Sequence, residues 1–197
     1  MGYSFLTKGQ SVISIRPVLN GSEIDTVLGN EFHEGLFYLS KLQGYFHVKT
    51  EGKLVDVSDT WLFNFAELEH GFQTKGPTSL MFGVDSALNF QGVHGGDLDP
   101  IHGMYWTWQT GYIHCKIEGI FINGEKQIPI VFHLGGFDSF TDGPFEIAEL
   151  KKDQSTLILD LGPAINWALE NGVNQVMSPG KKADAISNEL VKGMRLL

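Results

Sequence analysis

The chain has 197 residues, 14 basic against 23 acidic side chains, and a net charge of −9. An acidic surface repels phosphate backbones, so nucleic acid is excluded as a natural partner. Hydrophobic residues at 42% and charged residues at 19% exclude a disordered chain and give enough apolar surface for a core without staples.

In chain order, the first predicted strand is 12–19, alternating in polarity and stopped by Asn20-Gly21. That dipeptide suits a hairpin turn with positive φ at both central residues. Strands follow at 36–42, 45–49 and 53–57, with Glu51-Gly52 as a turn, and at 78–84. A β-rich run at 105–122, interrupted by Gly111, turns at Asn123-Gly124 into a strand at 127–134. Strands at 145–150 and 155–161 precede two helices, 163–171 and 183–194; the second carries Ile186, Leu190, Val191 and Met194 on one stripe. No linker or repeat interrupts this pattern, so 1–197 reads as a single domain. The expected fold is all-β, an antiparallel β-sandwich with short C-terminal helices.

No apolar run reaches the roughly 18–20 residues of a membrane-crossing helix. The segment 1–10 lacks the pattern of a signal peptide, so the chain is expected to be cytosolic or a mature form. A lone cysteine, Cys115, excludes an internal disulfide framework and a CxxC-type zinc site; its place on an apolar-parity face predicts a buried, inert thiol. There is no GxSxG, Walker loop, HExxH or GxGxxG, so no enzyme class is indicated.

Chemistry-bearing residues crowd into 83–119, GVDSALNFQGVHGGDLDPIHGMYWTWQTGYIHCKIEG. Asp85, Asn89, Asp97 and Asp99 offer oxygens to a hard cation such as calcium, although Asp and Asn equally cap turns and the spacing is not that of an EF-hand. Trp106 and Trp108 share parity and are expected on one face. Imidazole is the commonest protein ligand of transition metals, which makes His133, at the end of an apolar strand beside Gly135-Gly136, and His102, four residues before Trp106, candidate metal ligands. His114 shares parity with Lys116 and Glu118, which places it on the solvated face. A hairpin centred on Asn123-Gly124 sets His114 directly opposite His133, which makes His114 a third candidate metal ligand. His94 sits in a glycine-rich loop, and His33, His47 and His70 have no motif around them. The long segment 89–103 is expected to be ordered by Asp97, Asp99 and Pro100.

The pieces GVD (83–85), GDLDP (96–100), GMYWTWQTGY (103–112) and KIEG (116–119), with FYLSKL (37–42) and FHLGG (132–136), resemble the MbnP-like family. These are copper-binding periplasmic proteins found beside methanobactin genes, and their relatives. The resemblance implies a β-sandwich of the periplasm or cell envelope that is not itself an enzyme. It also implies one copper held by histidines and by a tryptophan oxidised to kynurenine, so Trp106 and Trp108 are the candidates for modification. The implied oxidant is a di-haem partner of MauG/MbnH type. Some relatives carry a histidine in the first strand, where this chain has Ile15-Arg16-Pro17-Val18. The alternatives are an interaction or adhesion module that has lost the metal, and a calcium-stabilised binding module.

Overall fold

The structure, a computed structural model, describes residues 10–50, 52–54, 56–65, 71–75, 78–136, 145–150 and 156–197. The chain opens with β1 (Gln10–Leu19), β2 (Ser22–Glu23), β3 (Asn30–Phe32) and the long β4 (Gly35–Thr50). Next come β5 (Thr60–Asn64), β6 (Gly71–Lys75), β7 (Thr78–Phe82), the one-turn helix α1 (Ser86–Phe90) and β8 (Tyr105–Thr107). A central pair, β9 (Gly111–Asn123) and β10 (Lys126–Gly135), is followed by β11 (Phe145–Leu150) and β12 (Thr156–Asp160). The C-terminal part is α2 (Gly162–Glu170), β13 (Gln175–Val176), α3 (Lys181–Lys192) and β14 (Met194–Leu196).

Two sheets result. The smaller runs β14-β12-β1-β2, with β6 also on β1; the larger runs β11-β7-β4-β9-β10-β13, with β3 and β5 on β4 and β8 on β9. Between them lies one core, in which Ile13, Ile15, Leu157 and Leu159 face Phe37, Phe46, Phe82, Ile117 and Phe132. Each such side chain contributes about 1.5–3 kcal/mol by leaving water. The helices close this core through Ala164, Ile165 and Ala168 of α2 and Ala183, Ile186 and Leu190 of α3. Cys115 is wholly buried there, and burial pushes its thiol pKa up, as its parity predicts.

The β-sandwich with short helices is as expected, but its sheets are mixed rather than antiparallel. β1 pairs with β12 in parallel, as does β10 with β13. Short turns exclude parallel pairing only between consecutive strands, and these partners are far apart in the chain. The stretches 36–42 and 45–49 form one strand, bent where Ser40 is squeezed out of the ladder with β9. The strand expected at 53–57 is absent among the described residues. Instead Asp56 accepts from the Ser58 N–H (2.9 Å) and hydroxyl (2.7 Å) and starts a 3-10 turn at Val57–Asp59.

The outer face of the larger sheet carries a second, smaller core. Tyr45, Tyr112 and Ile113 on the strands are covered by Val84, Leu88, Leu98 and Met104. All four covering residues come from 84–104, which folds over the sheet as a cap of α1 and two 3-10 turns, Gly96–Leu98 and Pro100–His102.

Candidate functional site

The cap is held by its own polar residues. Asp85 caps α1 by accepting from the Ala87 N–H at 2.8 Å. Asp99 starts the Pro100–His102 turn by accepting from the Ile101 N–H at 2.9 Å. Asp97 accepts from the Leu62 N–H of β5 at 2.9 Å, and its own carbonyl takes the Tyr45 hydroxyl at 2.9 Å. These three carboxylates therefore serve backbone donors at separate places, which is the turn chemistry that competed with a calcium cage.

Asn89 ties the cap to the sheet. Its buried Oδ1 accepts from the Tyr112 N–H at 2.9 Å, and its Nδ2 lies 3.4 Å from Nε2 of His114. The Tyr112 hydroxyl donates to the Leu98 carbonyl at 2.8 Å and accepts from the His94 N–H at 3.0 Å. Its ring stacks on the His94 imidazole with centroids 6.4 Å apart. Burial pushes the hydroxyl pKa of both Tyr45 and Tyr112 upward, so both remain donors.

The histidines fall in different surroundings. His114 is 1% exposed rather than solvated, because the cap folds over the end of β9 while Lys116 and Glu118 remain half-exposed. Burial lowers its pKa to about 3. Nor does it face His133. The β9–β10 turn is centred on Gly124-Glu125, so Asn123 pairs with Lys126 and His133 with Lys116. At the far end of the ladder Leu134 pairs with Cys115 and Gly135 with Ile113, which leaves His114 as the extra residue of a bulge. Nε2 of His133 lies 2.9 Å from the Glu118 carboxylate. His102 is exposed with Nε2 3.1 Å from the Gly96 carbonyl, and His94 places Nε2 2.8 Å from the Leu88 carbonyl. His33 takes a positive φ in the β3–β4 turn, and His70 lies outside the described residues.

Trp106 and Trp108 do not share a face. β8 slips register against β9 between Tyr105 and Thr107, and a reverse turn from Thr107 to Thr110 follows. Trp106 is half-buried against the smaller core, whereas Trp108 is 77% exposed in the turn.

Among the described residues no three His, Cys, Asp or Glu side chains converge as a metal site. What the geometry does provide is orientation. His94, His102 and His133 each direct Nε2 at an oxygen, so an Nε2–H donor leaves the lone pair on Nδ1. Metal-binding histidines are commonly oriented in this way by a second partner. Tyr45 and Tyr112 were not legible as parts of this region. Each sits on a strand whose outer face reads as solvent-facing until the cap is placed over it.

The family profile named MbnP matches residues 37–186, which takes in the whole cap. No curated protein matches. Among solved structures, the chain is similar to "MbnP from Methylosinus trichosporium", with 13% identity, coverage of 77% of this chain and 75% of that one, and a TM-score of 0.42. With some three-quarters of its length inside the profile, the chain belongs to the MbnP family.

Proposed function

We propose that this chain is a non-catalytic protein of the cell envelope that takes part in copper handling, with the cap and its two tryptophans as the working region. The observation that carries the reading is the family match across 37–186, which contains the cap entire. The orientation of His94, His102 and His133 by oxygen partners supports it.

The unmodified residues do not fit a complete copper site. No three of the acidic, imidazole or thiol groups converge among the described residues, and an intact indole offers only an N–H donor. Oxidative opening of a tryptophan to kynurenine takes up oxygen and releases the indole C2 carbon as formate, leaving an aryl amine and a carbonyl, and its oxidant belongs to a di-haem partner of MauG type. Trp108, exposed at a turn, is the indole within such a partner's reach.

The test is intact mass and metal content of the protein purified from its own host. A tryptophan that has gained one oxygen and lost one carbon, the balance of its conversion to kynurenine, together with copper is the expected result. Unmodified tryptophans and no copper would overturn the reading. That outcome would establish the second one, a metal-free interaction module, which the separation of the cap's carboxylates and imidazoles favours.

A further inference from the structure

A histidine away from the cap's motif is placed in an unusual way. His47 lies near the C-terminal end of β4 and is 1% exposed. Its neighbours Phe46 and Val48 point into the core between the sheets, so His47 points to the other face of the larger sheet. Its Nδ1 lies 3.1 Å from the Thr60 hydroxyl on β5. Its Nε2 is buried and has no hydrogen-bond partner. Burial pushes its pKa below the usual imidazole value, so its second lone pair is not lost to a proton.

Directly across the ladder on β7 stands Met81, the Cα partner of His47. Leu80 and Phe82 on either side belong to the inter-sheet core, so Met81 shares the face of His47; it is 8% exposed. Opposed residues on antiparallel strands have Cβ atoms about 4.5–5.5 Å apart. That spacing is bridged readily by a long, flexible thioether.

We propose that His47 and Met81 form a nitrogen–sulfur site for a soft monovalent cation, copper(I), distinct from any site in the cap. With Nδ1–H donated to Thr60, Nε2 keeps a lone pair that is buried and meets no hydrogen-bond partner. An imidazole and a thioether together match the softness and low coordination number of copper(I). The inference rests on the copper-handling reading solely for the identity of the metal.

The experiment uses the full recombinant chain, whose tryptophans are unmodified, loaded with copper(I) anaerobically. X-ray absorption at the copper edge reads the ligand atoms, and competition with a copper(I) chelator reads affinity. Sulfur is expected in the copper shell of the parent chain and of Met104→Leu. Met81→Leu, which nearly keeps volume, is expected to lose the sulfur and weaken binding at least about tenfold, with an unchanged thermal melt. His47→Gln is expected to weaken binding similarly. A chain that retains no copper(I), a shell without sulfur, or sulfur that persists in Met81→Leu would overturn the site. Unmodified tryptophans in the host protein would count against the cap reading alone.

Discussion

At His114 the imidazole is packed so closely that even the backbone beside it is specified. A Cβ on Gly83 would lie 2.7 Å from its Nδ1, and Gly83 has φ +108. Gly83→Ala therefore combines a steric clash with a backbone that L residues avoid, and is expected to cost about 2–4 kcal/mol in urea unfolding. The same enclosure sets a pH dependence. With the folded pKa near 3 and an ordinary value of 6.5, the unfolded chain binds more protons between these limits. Stability should thus fall as pH drops through that window, with a slope from this group approaching about 1.4 kcal/mol per unit, and level off below it. The buried His47, also lowered, adds in the same direction. Urea midpoints taken between about pH 7 and about pH 4 check this, and His114→Gln should show a shallower fall. None of this was legible in the sequence, where the alternation of His114 with Lys116 and Glu118 signals a wet face. Alternation reports which face a residue takes and is silent on what later covers that face.

Turns decide the fit between elements. Asn20-Gly21 forms the expected hairpin, with φ of 49 and 79 and Leu19 paired to Ser22. Asn123-Gly124 is the same dipeptide with another outcome, since only its glycine lies within the turn and the register moves by two residues. A two-residue shift preserves every face and changes every partner, which is why the strands were legible and the His114–His133 pairing was not. The short β3, β5 and β6 gave little signal because each depends on a neighbour more than on its own pattern. Asp160 joins elements that the sequence gives no reason to connect. Its Oδ1 accepts from the N–H groups of Asn20 (2.8 Å) and Gly162 (2.9 Å), and its Oδ2 from that of Gly21 (3.0 Å). Asp160→Ala removes the acceptor from the first hairpin and from the start of α2 together. A loss of about 1–3 kcal/mol in equilibrium unfolding is the expected outcome, and a neutral result would show that water replaces the carboxylate.

Across the whole molecule, the smaller sheet is closed by the two ends of the chain. Ser14 of β1 pairs with Thr156 of β12, and their hydroxyls lie 3.2 Å apart although 142 residues separate them. Contacts of such long range make loop closure a large part of the folding barrier. Refolding in stopped flow is expected to take milliseconds to seconds rather than microseconds. A sub-millisecond main phase would mean that the larger sheet folds without waiting for β1 and β12 to meet.

The single sulfhydryl gives the molecule an internal timer. Cys115 sits in the seam where β9 meets β4 and β10, opposite Gly44 on one side and Leu134 on the other. A thiol there reacts only as thiolate, and burial disfavours that form, so no nucleophile attacks a disulfide reagent in the surrounding solution while the seam is shut. Each labelling event therefore records one opening of the layer between the sheets. Because the chain has one cysteine, no second site blurs the count. Labelling rates followed against denaturant would report how often this sandwich comes apart at its centre, without any engineered probe.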